Sequence, residues 1–211
     1  MIGAIFAGGY VKRLSSISSD FPKVLLPLKN DFLILDRQLM DFKNAGMREV
    51  YLLTGYKGEK IENSYGNKYE GMSINYLREK EPMGTLWSLR NLYANTESDA
   101  LLGNGDTICD VELMKFIKLS ISNGKLIDVV VYRMSSPFGT VSTDGIRVTK
   151  FSEKPLLNHY VNAGAYFLRR ELGSRLKGEF YGKGYTEVNS GIPGSKGRGL
   201  RLQIQWVLET Y

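Results

Sequence analysis

Apolar and polar positions along this chain switch between the periods of strands and helices. Ile2 to Phe6 is a short apolar run that halts at Gly8 and Gly9, the pattern of a buried strand feeding a loop. From there to Lys23 the serines Ser15, Ser16, Ser18 and Ser19 and then Pro22 leave no period, so a long loop is expected. Leu35, Leu39 and Phe42 lie on one face of a helix expected from Phe32, with Gly46 as its stop. Glu49 to Thr54 reads as a second strand, Glu59 to Tyr65 as a short helix and Met72 to Leu77 as an alternating strand. A helix over Thr85 to Tyr93 follows Gly84. A strand at Ala100 to Leu102 then runs into Gly103-Asn104-Gly105-Asp106. Val111 to Ile121 is amphipathic, with Leu113, Phe116, Ile117 and Ile121 on one stripe and Asp110 as the expected cap. Ile127 to Tyr132 is a strongly apolar strand.

This alternation from Ile2 to Tyr132 predicts an α/β domain with a mostly parallel sheet covered on both faces. The rhythm then changes. Gly139 to Val141, Arg147 to Phe151 and Val161 to Leu168 are strand-like with short connections, so a smaller mixed or antiparallel portion is expected. Gly182 to Gly199 reads as loop, and Leu200 to Leu208 returns to strand-like alternation.

Composition narrows the classes. A chain of 211 residues, 43% hydrophobic, with 13 Tyr, 9 Phe and 2 Trp, has the content of one globular domain and not of a disordered tail. No apolar run reaches the roughly 20 residues of a membrane-spanning helix, and the start does not read as a signal peptide. A single cysteine, Cys109, leaves no internal disulfide and fits a packing role in a cytoplasmic protein. The net charge of +6 favours anionic partners. The charge is scattered: the densest basic stretch, Lys196 to Arg201, holds three basic residues among glycines, so nucleic acid is not expected as a partner.

Three segments carry candidate chemistry. Ala7-Gly8-Gly9-Tyr10-Val11-Lys12-Arg13-Leu14, followed by Pro22-Lys23, is either a backbone cradle for phosphate or a tight turn with exposed basic residues. It matches neither the dinucleotide fingerprint nor the Walker A loop. Asp106, at the carboxyl end of a strand, suits a divalent cation shared with substrate phosphates, or else an Asx-turn. Glu153-Lys154-Pro155 and Asn162-Ala163-Gly164 offer a cation for phosphate and polar groups for sugar hydroxyls, or are ordinary loop residues. His159, between them, reads as a surface or packing histidine.

Taken in order, these segments resemble the sugar-1-phosphate nucleotidyltransferase family, which includes glucose-1-phosphate thymidylyl- and mannose-1-phosphate guanylyltransferases. Its opening pattern, L-A-G-G-x-G-T-R-L and then P-K, stands here as Phe6 to Leu14 and Pro22-Lys23. Ala45-Gly46-Met47-Arg48-Glu49-Val50, Thr54-Gly55-Tyr56, Glu81-Pro82-Met83-Gly84-Thr85, Asn104-Gly105-Asp106, Phe138-Gly139-Thr140-Val141, Phe151 to Pro155 and Val161 to Gly164 follow in the family's order. The resemblance covers residues 2 to about 170.

It implies a Rossmann-like fold and attack of a sugar 1-phosphate oxygen on the α-phosphorus of a nucleoside triphosphate, giving an NDP-sugar and pyrophosphate. By resemblance Arg13 stabilises the leaving pyrophosphate, Lys23 contacts the triphosphate and Asp106 holds Mg²⁺. Ala7, Gly8, Gly9, Lys12, Glu79, Gly84 and Thr85 bind the nucleotide. Gly139, Glu153, Lys154, Asn162 and Gly164 bind the sugar phosphate. Glu79 in Glu79-Lys80-Glu81-Pro82-Met83-Gly84-Thr85 favours guanine, because a carboxylate accepts from N1–H and the amino group together. Glu209, after Trp206, matches the family's second metal ligand by position, or is a surface carboxylate near the terminus. One catalytic domain over 1–211 is expected, with a nucleotide part to about residue 135 and a sugar-phosphate part beyond it.

Two departures stand in the opening loop: Val11 replaces its second glycine and Lys12 its Thr. Val11 leaves open a non-catalytic nucleotide-binding relative, and cytidylyltransferases that act on a phosphorylated alcohol such as phosphocholine, which share the opening loop, remain a second alternative.

Overall fold

The computed structural model describes residues 1–9 and 21–176 and the backbone of Ile204–Leu208. In chain order the elements are β1 (Ile2–Phe6), a 3-10 turn (Lys23–Leu25), β2 (Pro27–Lys29), β3 (Phe32–Leu33), α1 (Ile34–Asn44), β4 (Glu49–Thr54), α2 (Gly58–Tyr65), β5 (Lys68–Tyr69), β6 (Met72–Arg78), α3 (Thr85–Asn95), β7 (Ala100–Asn104) and α4 (Leu113–Asn123). There follow β8 (Ile127–Ser135), β9 (Thr140–Asp144), β10 (Arg147–Ser152), β11 (Leu156–Leu168), α5 (Leu172–Arg175) and β12 (Ile204–Leu208).

Eight of the strands form one sheet in the order β12-β8-β11-β7-β1-β4-β6-β5. β7, β1, β4 and β6 pair in parallel, as do β12 and β8. β11 runs antiparallel to both of its neighbours, and β5 to β6. The expected mostly parallel sheet is therefore present, with one reversed strand inside it.

Strands buried on both faces read as continuous apolar runs, because alternate side chains enter different cores. Ile5, Val50, Leu52, Leu101 and Phe167 pack with Leu35, Leu39 and Phe42 of α1 and with Phe116 and Ile117 of α4. Ile2, Ala4, Leu53, Leu102 and Leu168 pack on the opposite face with Leu92 of α3 and Leu172 beside it. Each fully buried Leu or Ile contributes about 1.5–3 kcal/mol of apolar transfer. The start of α1 is held by Asp36, whose carboxylate accepts from the Leu33 N–H at 2.7 Å and from the Tyr65 hydroxyl at 2.9 Å.

Several expectations are corrected. α4 begins at Leu113, and Asp110 does not cap it. The Asp110 carboxylate instead accepts from Arg37 at 3.2 Å, which ties the preceding loop to α1. The hairpin β2–β3 and the strand β5 were not foreseen; they are two or three residues long and mostly exposed, so no burial pattern marks them. β11 begins at Leu156, and its outer half pairs with an equally exposed outer half of β8. Beside that extension β9 and β10 form a separate two-stranded ribbon. The segment Gly182 to Gly199 lies outside the described residues.

Candidate active site

The chain moves outward from β1 to β4 and β6, then returns through α3 to β7 on the other side of β1. Ligands of open α/β sheets gather at such a reversal, beyond the carboxyl ends of the strands. A cleft of about 910 Å³ opens there. Gly8, Gly9, Lys23, Glu79, Gly84, Thr85 and Asp106 line it, so most of the nucleotide-side residues expected from sequence meet in one place.

The two halves of the opening motif touch: the Lys23 N–H donates to the Gly9 carbonyl at 3.1 Å. Buried Val24 and Leu25 anchor the turn that carries Lys23. The Lys23 ammonium reaches Asp106 across 83 residues of sequence and donates to its carboxylate at 2.9 Å. Both side chains remain partly open to solvent, 36% for Lys23 and 49% for Asp106, so a ligand can reach either.

Asp106 sits on a tight turn after β7. Thr107 N–H donates to the Asn104 carbonyl at 3.1 Å, and Gly105 N–H to the Phe6 carbonyl at 3.0 Å. A Cβ on Gly105 would lie 2.2 Å from that same Phe6 oxygen, so only glycine lets the β7 loop cross the end of β1 so closely.

At the other end of the cleft, Gly84 and Thr85 open α3. The Glu79 carboxylate accepts from the Ser88 hydroxyl, and from the Met83 N–H at 3.2 Å. It therefore braces the loop that leads into the helix. Ala7 is fully buried and donates its N–H to Leu53 O at 2.8 Å; its side chain packs in the core and does not line the cleft.

The sugar-side residues fall into two groups, and none lines this cleft. Asn162 and Gly164 lie on β11 next to the Asp106 turn: the Asn162 side-chain Oδ1 accepts from Gly164 N–H at 2.8 Å, and a Cβ on Gly164 would stand 3.0 Å from Thr107. Gly139 and Glu153 face each other at the open end of the ribbon, 3.1 Å from a would-be Cβ to the carboxylate. Lys154 has φ +42, a strained setting for a non-glycine residue ahead of proline. His159 is exposed on β11. Lys12, Arg13 and Glu209 lie outside the described residues. Tyr56, Lys80 and Ser88 line the cleft without having been singled out. Tyr56 stood in a quoted motif, whereas Ser88 carries no signal, being one hydroxyl on a helix.

Among the described residues no cluster of three or more His, Cys, Asp or Glu side chains comes together. A hard cation here would be held by Asp106 with substrate phosphates, the way Mg²⁺ is commonly bound. The donor chemistry and the openness of Asp106 fit such an ion.

This sheet, with a glycine loop, a lysine and a carboxylate meeting at its reversal, defines a nucleotide-handling α/β protein. A family model described as "Nucleotidyl transferase" matches residues 2–193, and the chain belongs to that family. It is 35% identical over 182 residues to D-glycero-alpha-D-manno-heptose 1-phosphate guanylyltransferase of Aneurinibacillus thermoaerophilus, covering 82% of this chain and 76% of that protein. It is 29% identical over 188 residues to the mannose-1-phosphate guanylyltransferase catalytic subunit beta of Danio rerio, covering 84% of this chain but 52% of that longer one. Its fold is like that of HddC from Yersinia pseudotuberculosis complexed with GMP-PN, with a TM-score of 0.68, 21% identity and coverage of 98% of this chain and 89% of that one. No helix among the described residues is long and apolar enough to cross a membrane.

Proposed function

We propose that this protein is a Mg²⁺-dependent sugar-1-phosphate guanylyltransferase that converts GTP and a mannose- or heptose-type sugar 1-phosphate into a GDP-sugar and pyrophosphate. The observation that carries this reading is the Lys23 ammonium 2.9 Å from the Asp106 carboxylate inside a cleft edged by Gly8, Gly9 and Gly105. Relatives named as guanylyltransferases of heptose and mannose 1-phosphates support the base and the sugar class.

A phosphate oxygen of the sugar 1-phosphate attacks the α-phosphorus in line, the bond to the bridging oxygen of the β-phosphate breaks, and pyrophosphate leaves. No covalent intermediate on the protein is needed, so its task is positioning and charge neutralisation. Lys23 neutralises charge building at the α-phosphate. Its present pairing with Asp106 is partly exposed and worth only about 0–1 kcal/mol, so phosphate can displace it at small cost. Asp106 is the residue that would hold Mg²⁺, which when bound draws negative charge off the phosphate oxygens. Arg13, and Lys12 beside it, serve the leaving pyrophosphate and the triphosphate.

Glu79 accepts from guanine N1–H and the amino group with the lone pairs that Ser88 and Met83 leave open. Glu153, Lys154 and Asn162 take the sugar phosphate, with Gly139 and Gly164 allowing close approach. The nucleotide part to about residue 135 and the sugar part beyond it then act as one catalytic domain.

Pyrophosphate release, measured for GTP, UTP, CTP, ATP and dTTP against several sugar 1-phosphates with Mg²⁺, tests this. GTP with a mannose or heptose 1-phosphate is expected to turn over fastest. Asp106→Ala is expected to lose at least about 10²-fold in rate. Phosphocholine with CTP as the preferred pair, or an unaffected Asp106→Ala enzyme, refutes the proposal.

A further inference from the structure

The buried stripe of α1 is Leu35, Gln38, Leu39 and Phe42, so one polar side chain sits among hydrocarbon. Gln38 is only 7% exposed. Its amide nitrogen donates to the Asn104 carbonyl at 2.8 Å and to the Thr107 carbonyl at 2.8 Å. Those carbonyls bracket Gly105-Asp106. The Asn104 carbonyl also takes the Thr107 N–H at 3.1 Å, so the Gln38 amide closes the same turn from outside.

The opposite end of that amide is unsatisfied: Oε1 is buried with no hydrogen-bond partner among the described residues. An orphaned buried carbonyl lowers stability. Turning the amide over would bring Oε1 against two carbonyl oxygens, so the turn dictates its orientation.

We propose that Gln38 is a positioning residue for Asp106: it clasps the turn on both sides of the carboxylate and holds it at the angle a cation and the triphosphate require. The inference rests on the reading of Asp106 as the cation-holding group. Partners that orient metal ligands in this manner change metal affinity by about 10–100-fold when removed.

Gln38→Met keeps the length and packing of the side chain and removes both donors. Gln38→Glu is a second variant of equal size that sets oxygens against the two carbonyls. Three quantities are measured: hydrogen exchange at the Thr107 amide, Mn²⁺ affinity by electron paramagnetic resonance with a non-hydrolysable GTP analogue present, and affinity for that analogue in chelator. Faster Thr107 exchange, Mn²⁺ binding weaker by about 10–100-fold and unchanged analogue affinity in chelator are expected. Asp106→Asn is run alongside. If it loses Mn²⁺ while both Gln38 variants keep it, the positioning role is overturned and the functional reading stands. If Asp106→Asn itself keeps Mn²⁺, the metal assignment falls. Thr107 exchange then decides the clasp by itself: unchanged exchange overturns it and faster exchange upholds it.

Discussion

Gly105→Ala tests whether the close crossing of two loops builds the site. The added Cβ would stand 2.2 Å from the Phe6 carbonyl oxygen, 2.7 Å from Val24 Cγ1 and 3.1 Å from the Phe6 carbonyl carbon. The Phe6 oxygen is backbone of a central strand in register with Asn104, so it cannot rotate away. The turn must lift instead, and the 3.0 Å bond from Gly105 N–H to Phe6 is lost. Overpacking of this kind costs about 1–3 kcal/mol and the hydrogen bond about 1 more, so a loss of about 2–4 kcal/mol is expected. For a chain of this length that lowers the melting temperature by about 4–16 °C. The lifted turn also draws Asp106 away from Lys23, and a displacement near 1 Å costs about 10²-fold in rate. Thermal and urea unfolding followed by circular dichroism give the stability. Pyrophosphate release well below the melting temperature gives the rate. Gly124→Asn is the control: φ there is +63 with nothing within 4 Å of a Cβ, so it should cost less than about 1 kcal/mol. A Gly105→Ala protein with parental activity and stability within about 0.5 kcal/mol, the scatter of surface substitutions, refutes the reasoning.

Asp128 on β8 is fully buried, and its burial pushes the carboxyl above the ordinary 3.8, against smaller opposing pulls from Asn123, Ser120 and Arg169. Among the described residues one of its oxygens meets no hydrogen-bond donor of good geometry. With its folded pKa raised, this group's contribution to stability is full below the unfolded pKa and is lost as pH rises through the folded one. Asp128→Asn is therefore expected to stabilise by about 1 kcal/mol at neutral pH, with the gain shrinking toward pH ~4, as read from urea unfolding at both. A variant less stable than the parent at neutral pH contradicts this. Glu79→Gln should lower the GTP-over-UTP preference by about 10-fold, since an amide oxygen accepts where it cannot carry charge. An unchanged ratio would leave Glu79 only as a brace for the loop through Met83 and Ser88.

The central strands were legible because burial on both faces writes itself as runs of apolar residues; Val50 to Leu53 in Glu49–Thr54 is an instance, and that strand is observed with the bounds expected. α1 was legible from Leu35, Leu39 and Phe42, and Gly46, at φ +83, follows its end as expected. Where strands lie in solvent the signal vanishes, as in the outer half of β11, where Leu156 and Tyr160 are exposed. The Asp110 expectation failed because a carboxylate before a helix has other partners on offer, here Arg37. Of the site, the order of motifs carried the most. Nothing in spacing alone joins Lys23 to Asp106; the sheet order does, by seating β1 beside β7. Gln38 had a visible trace, a polar residue on an apolar stripe, but its meaning depends on a turn 66 residues away.

The two outermost strands of the sheet are unlike. On one side β5 is only Lys68–Tyr69, too short to template another chain. On the other, β12 lies parallel along β8 from Ile127 to Val131, and β8 supplies the run Val129-Val130-Val131. Residues 204–208 thus shield one edge of the valine-rich strand β8. Any cut that removes them would bare a valine-rich border to which a second molecule could add, so solubility depends on β12.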